Sequence, residues 1–228
     1  NITLGNGNIG AVTLSDDGIA GLILTGTAVS STLELNKVYV IASTSDLKKL
    51  GLTAENNPLA YKEVLGFYES AGDGAELHLL VVDAAKTLTE ICSMEDGSPL
   101  KTLIDSAAGR IRLVGINRNP EAEYEPVVTS GIDQDVVTAV TAAQQVVESY
   151  LKQIAPFVVL LPALAWNGTT DSLYQPREGS QDSVSVVMAS DGIYGESKYY
   201  SAAIGKVLGR LATCAVNISL ARVRDGSL

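Results

Sequence analysis

The stretch Leu77-His78-Leu79-Leu80-Val81-Val82 decides the fold class, because it is a nearly continuous apolar run of the length of one strand. Such a run is typical of a strand covered on both faces, as in parallel sheets that carry helices on each side. A helical pattern follows from Ser98-Pro99, with apolar residues repeating at intervals of three and four. A further apolar strand, Ile111-Arg112-Leu113-Val114-Gly115-Ile116, comes next. This order of strand, helix and strand predicts a βαβ unit.

The same alternation continues on both sides of this unit. Toward the N-terminus, the apolar run 38–42 predicts a strand covered on both faces, Ser45 caps a short helix over 46–50, and Pro58 begins a helix that Gly72 ends. Toward the C-terminus, the predicted elements are a helix over 134–155, strands over 157–161 and 184–189, a helix over 198–215 and a strand over 216–223. We therefore predict an α/β fold with a largely parallel or mixed sheet and helices on both faces.

Residues 1–34 differ in composition from the rest of the chain. They are rich in Gly, Thr and Ser, with short apolar bursts at 9–14 and 19–24. This composition predicts an N-terminal β arm or hairpin, followed by an α/β body over 35–228. The stretch 166–182, rich in Gly, Ser, Thr and Asp, is predicted to be a surface loop of that body.

Composition excludes several classes of function. With 16 Lys and Arg against 26 Asp and Glu, the net charge is -10, so direct binding to nucleic acid or to an anionic membrane is disfavoured. One His and two Cys cannot build a Cys/His zinc cage, a two-His site or a disulfide framework. Charged residues reach only 18%, where about 25% is typical, which suits a protein that buries surface against copies or partners.

Polar residues after the predicted strands are the candidates for ligand binding. In a doubly wound sheet, ligands bind beyond the carboxyl ends of the strands. Ser45 at a helix N-terminus could hold an anion, and Asp46 with Asp83 could hold a hard cation. The same residue types are also ordinary helix caps and turn residues, so both interpretations stay open. His78 lies within a predicted strand, which is a poor position for a general base.

The last predicted helix carries two features beside its apolar stripe. Gly205 and Gly209 are four residues apart and would permit close approach of another backbone. Lys206 and Arg210, also four apart, place like charges on a further side of the helix. This basic side either pairs with carboxylates of another copy or is a solvated face.

Four segments, taken in order, resemble a known family. They are the Gly-rich apolar opening 18–26, the strand and short helix over 38–51, the helix and strand over 60–82, and the closing helix and strand over 205–226. Together they resemble the sheath proteins of contractile phage tails and related contractile injection systems, in a divergent prophage branch. Sheath subunits continue into a C-terminal portion, so the resemblance implies that this portion is missing from the 228 residues.

The resemblance implies a structural protein with no enzymatic activity and no cofactor. Its subunits would form hexameric rings stacked around an inner tube, and contraction would come from rearranged subunit contacts. The implied partners are other copies, the tail tube protein and baseplate proteins, without nucleic acid or membrane, in a virion tail assembled in the host cytoplasm. The predicted contact residues are Ile9, Val12 and Leu14 of the arm, Lys206 and Arg210 of the last helix, and Arg222 and Arg224 beyond it. The alternative is an α/β ligand-binding or phosphoryl-handling domain that uses Ser45, Asp46 and Asp83.

Overall fold

A computed structural model describes residues 19–153, 155–166, 172–192, 199 and 201–213. The strands are β1 (Ala20–Gly26), β2 (Val38–Ile41), β3 (Leu77–Asp83), β4 (Leu113–Asn117), β5 (Val128–Thr129), β6 (Ile132–Asp133), β7 (Val158–Pro162), β8 (Val184–Val187), β9 (Ser190–Gly192) and β10 (Ser201–Ala202). The α-helices are α1 (Thr44–Lys49), α2 (Pro58–Ala71), α3 (Leu88–Ile91), α4 (Pro99–Ser106), α5 (Gln134–Leu151) and α6 (Ile204–Thr213).

The main sheet has six strands in the order β2-β3-β1-β4-β7-β8. β3, β1, β4, β7 and β8 are parallel, and β2 pairs antiparallel with β3 at one edge. We name the two ends of the parallel strands after their backbone direction. The amino pole contains Ala20 and Leu77, and the carboxyl pole contains Gly26, Asp83 and Asn117.

Helices cover both faces of this sheet, and the predicted α/β class with its mixed sheet is confirmed. One buried cluster joins the sheet to α1, α2 and α6, and a second joins it to α3, α4 and α5. Successive residues of β1 belong to opposite clusters: Leu22 and Leu24 face α2 and α6, whereas Ile23 faces α4 and α5. Both kinds of position are fully buried, which explains the unbroken apolar runs of the central strands.

The prediction of an arm that ends at residue 34 is wrong for β1. Ala20–Gly26 lies in the middle of the sheet, because β3 and β4 pair with its two sides. The glycines of this segment favoured the prediction of an arm. Gly21 instead allows close packing, because a Cβ there would lie 2.6 Å from Leu103 Cδ2 of α4. The sheet therefore begins before residue 34, and residues 1–18 lie outside the described part of the chain.

The prediction that 38–42 forms a strand covered on both faces is also wrong. β2 is an edge strand, and the Val40 side chain is 62% exposed. Helix α1 likewise begins one residue beyond its cap Ser43, so Ser45 lies within its first turn. The helices predicted from Pro58, Ser98-Pro99 and the stripe after Asp133 are confirmed, whereas α3 was not predicted.

The stretch 166–182 contains a short 3-10 helix, Pro176–Gly179, among its described residues. The strand predicted over 216–223 lies outside the described residues. Within the described part of the chain, no helix combines the length and the apolar character that crossing a membrane requires.

Candidate functional site

The direction of β2 separates the residues of the predicted ligand site. Because β2 is antiparallel, its last residue Ile41 lies opposite Leu77, the first residue of β3. Asp46 therefore follows β2 at the amino pole, whereas Asp83 lies at the carboxyl pole. The six steps along the strand from Leu77 to Asp83 span about 20 Å at roughly 3.3 Å per residue. The prediction that Asp46 and Asp83 jointly hold a cation is wrong for this geometric reason.

Each of these residues has a local structural partner. Asp46 Oδ2 accepts hydrogen bonds from the backbone N–H groups of Ala42 and Ser43, at 3.0 and 3.1 Å, which forms a capping box on α1. Asp83 Oδ1 accepts from Ala85 N–H at 2.9 Å, as in an Asx turn. Ser45 Oγ lies 2.7 Å from Ser43 Oγ. The cap and turn interpretation therefore describes all three positions.

The pKa of Asp46 offers a test of its local contacts, because these contacts shift it. The side-chain bond from Lys49, followed by the backbone bond from Ala42, lowers the pKa of Asp46 from 3.8 to about 2. Because the folded pKa is depressed, the stabilising contribution is present above pH 3.8 and is lost as the pH falls toward 2. We expect Lys49→Gln to raise the Asp46 midpoint in a carboxyl NMR titration. Lys48→Gln is the matched control, and an equal shift in both variants would contradict the assignment.

A buried polar centre at the carboxyl pole joins α2, β4 and α6. Glu63 of α2 is 1% exposed, and its carboxylate accepts hydrogen bonds from Gly205 N–H and, at 3.0 Å, from Asn117 Nδ2. Asn117 Nδ2 also donates to the Ala202 carbonyl at 2.9 Å. Burial raises the pKa of Glu63, against the lowering effect of Lys62 and of the two donors. The centre places a carboxylate at the N-terminus of α6, where the helix dipole favours negative charge.

A second buried centre lies on the other face of the sheet. Arg118 Nη1 lies 3.3 Å from Asp135 Oδ2, and the two side chains are 4% and 10% exposed. The Arg118 guanidinium also lies over the Tyr124 ring, 4.3 Å from its centroid. Asp135 accepts hydrogen bonds from the N–H groups of Leu88 and Thr89 at 2.8 and 3.0 Å. This pair therefore ties β4 and α5 to the first turn of α3.

Close packing of α6 on α2 confirms the expectation for its glycines. A Cβ at Gly205 would lie 1.9 Å from the Glu63 carbonyl oxygen, and one at Gly209 would lie 2.3 Å from the Phe67 carbonyl oxygen. Lys206 pairs with Glu69 of the same chain at 3.3 Å, and Arg210 is half-buried. An intermolecular role for Lys206 and Arg210 stays a prediction.

The other predicted contact residues fall outside the described part of the chain. These are Ile9, Val12, Leu14, Arg222 and Arg224. His78, in contrast, is buried within β3, and its Nε2 lies 2.8 Å from Glu76 Oε1. Glu76 also pairs with Arg110 at 3.2 Å, so His78 belongs to a structural chain of polar contacts at the amino pole.

Two surface features of the described residues are candidates for contact with another molecule. The first is the outer side of β2, which pairs with no other strand among the described residues. The second is a groove of about 350 Å³ at the carboxyl pole, which we call the switch-point groove. It lies where the chain, after placing β3 on one side of β1, places β4 on the other side. Its lining residues are Thr25, Gly26, Thr27, Glu55, Asn56, Asn57, Pro58, Leu59, Ala84, Asn119, Pro120 and Glu121.

Asn117 directly follows the predicted strand over 111–116, where ligand-binding residues of such sheets lie, whereas its partner Glu63 was missed. The available signal was a carboxylate within the apolar stripe Ala60, Val64 and Phe67 of the predicted helix. Nothing in the local sequence identified Gly205 as the third residue of this buried centre, because Gly205 is 142 positions from Glu63 in the sequence. Among the described residues, no group of three or more His, Cys, Asp or Glu side chains is arranged to hold a metal ion.

Comparison with known proteins gives one family assignment. None of the curated proteins compared with the chain matches it. A family model described as DUF2586, N-terminal domain, matches residues 1–228. Because this match covers the whole sequence, the chain belongs to the DUF2586 N-terminal domain family.

Proposed function

We propose that the chain is part of a structural subunit of a contractile tail sheath. Its copies assemble into stacked rings around an inner tube, and contraction rearranges the contacts between them. The partners in this proposal are other copies, the tube protein and baseplate proteins, within a virion tail, and the subunit catalyses no reaction. The proposal rests on the sequence resemblance and on one structural observation, the exposed edge strand β2.

The edge strand supports this role because it offers both backbone and side-chain contacts. An unpaired strand edge presents a row of N–H and C=O groups that can pair with another chain. Val40 adds apolar surface, since its side chain is 62% exposed. Charged residues flank the strand, with Glu34 paired to Lys37 before it and Asp46 paired to Lys49 after it. The edge therefore combines an apolar centre with charged flanks, as protein contact surfaces do.

The buried polar groups beside the sheet support the interpretation that the subunit moves as a rigid body. Buried polar groups at the carboxyl pole bond to one another and to the ends of helices, as the Glu63 and Arg118 centres do. Such a body can turn as a unit while its edge contacts are exchanged. The alternative ligand-binding function requires Ser45, Asp46 and Asp83 in one place, and the antiparallel direction of β2 separates them.

Negative-stain imaging of the intact gene product tests the proposal. We expect stacked rings or tubes for the unaltered protein, and only isolated particles for Val40→Lys, because a lysine at this edge opposes strand pairing. Val128→Lys is the matched control, since Val128 is also exposed but lies in the small β5–β6 hairpin. Thermal unfolding should be unchanged in both variants. Isolated particles of the unaltered protein at every concentration would refute the proposed function.

A further inference from the structure

The switch-point groove has a mostly apolar floor and an acidic rim. Pro58, Leu59, Ala84 and Pro120 contribute the apolar surface. Asn57, a polar side chain on its wall, is already bonded within the chain, because it pairs with both backbone groups of Thr27 at 2.8 and 3.1 Å. A ligand would therefore meet apolar surface and the carboxylates of the rim.

The charge of the rim selects a cationic occupant. Glu55 and Glu121 line the groove and are exposed, and the residues that line it include no Lys or Arg. Helix α2 begins at the groove and contributes about half a positive charge. Two full negative charges outweigh this dipole, so phosphate and carboxylate groups are disfavoured. A guanidinium group fits better, because it pairs with carboxylates while its aliphatic stem covers apolar surface.

The direction of α6 indicates which part of another copy could bind in the groove. Helix α2 begins beside Thr27 at the carboxyl pole and runs toward the amino pole. Helix α6 runs in the same direction, since Gly205 meets Glu63 and Gly209 meets Phe67. Thr213 therefore lies toward the amino pole, at the opposite end of the sheet from the groove. In a head-to-tail stack of two copies, the end of α6 in one copy would face the groove of the next copy.

We propose that the switch-point groove of one copy binds the segment Arg222-Val223-Arg224 of a second copy. This segment provides two guanidinium groups for the two carboxylates of the rim, with Asp225 as the one acidic residue beside it. The inference rests on the proposed function, because it names a contact between stacked subunits. The proposal predicts an interface between the amino-pole side of one copy and the carboxyl pole of the next copy. This interface should weaken as salt is added.

A synthetic peptide of residues 217–226 tests the contact directly. We expect the intact protein to bind this fluorescently labelled peptide with an affinity that falls at high salt. The double variant Glu55→Gln/Glu121→Gln should bind about tenfold more weakly, a fold-change typical of losing two partly exposed ion pairs. The variant Glu95→Gln/Glu178→Gln is the matched control, since both residues are exposed and the variant removes the same charge elsewhere on the surface. Equal affinity for the two double variants, or no binding by the unaltered protein, would overturn the proposal.

Cysteine crosslinking distinguishes contact between copies from contact within one chain. A Glu121→Cys protein mixed with an Arg222→Cys protein, both carrying Cys214→Ser, should form a covalent dimer. If the crosslink forms only when both cysteines are on one chain, the segment occupies its own groove and the proposal is wrong. Imaging separates this failure from failure of the proposed function: tubes formed by Glu55→Gln/Glu121→Gln would refute the groove contact alone. Absence of tubes from the unaltered protein would refute the sheath function.

Discussion

Replacing Asp135 with alanine is expected to lower the free energy of unfolding by about 3 to 5 kcal/mol. The variant leaves Arg118 charged and 4% exposed, without its carboxylate partner. It also removes the acceptor of the Leu88 and Thr89 N–H groups, so that two donors in the first turn of α3 lose their partner. Chemical denaturation followed by circular dichroism measures this loss.

Two companion variants show whether the buried charge causes the effect. Asp135→Asn keeps a side-chain oxygen that can accept a hydrogen bond, so its cost should lie between those of alanine and the unaltered protein. Glu69→Ala removes an ion pair with Lys206 whose side chains are 62% and 41% exposed. Exposed pairs contribute about 0 to 1 kcal/mol, so this variant should be nearly neutral. Similar losses for Asp135→Ala and Glu69→Ala would refute the role assigned to the Arg118 centre.

The parts of the fold that sequence reasoning predicted correctly share a physical cause. The strand from Leu77 and the helices from Pro58 and Pro99 are each encoded by a local pattern of apolar spacing with a Pro or Gly boundary. These patterns show which positions of each segment are buried. Buried positions recur with the period of the helix or of the strand. The patterns do not encode which strand lies beside which.

The main errors concern which strands are neighbours in the sheet and in which direction they run. The run at Val38–Ile41 is apolar whether its strand lies at an edge or in the centre, because Tyr39 packs on the core while Val40 is exposed. Ala20–Gly26 contains two glycines and a threonine, so it resembled an arm, although the glycines there make room for Leu103 and Asn57. The ligand-site prediction failed for the same reason, since it assumed that β2 runs parallel to β3.

The candidate contact surfaces were predictable only in part. The basic segment at Arg222 and Arg224 is visible in the sequence, but the groove that it fits is built from β1, α2 and the residues after β4. Glu55 and Glu121 are 66 positions apart in the printed sequence, and neither lies in a recognisable motif. A surface assembled from such distant residues becomes apparent only when the strand order is known.

Among the described glycines, substitution of Gly205 by alanine is expected to be the most damaging. Its Cβ would lie 1.9 Å from the Glu63 carbonyl oxygen, and backbone of α2 cannot yield as a flexible side chain can. The two helices would have to separate, which weakens the bond from Gly205 N–H to the Glu63 carboxylate. We expect a loss of about 3 kcal/mol or more, at the upper end of overpacking effects. Thermal and urea unfolding measure it.

Gly66→Ala provides the matched control in the same interface. The added Cβ would lie 3.0 Å from Lys206 Cγ and 3.4 Å from Lys206 N, so its closest contact is with a side chain and its distance to backbone is much longer than at Gly205. Alanine also favours the helix interior by roughly 0.5 to 1 kcal/mol over glycine, so the net change should lie within about 1 kcal/mol of zero. If both variants were equally stable, the backbone contact between α2 and α6 would not hold α6 in place. The orientation of α6, on which the groove contact depends, would then lose its support.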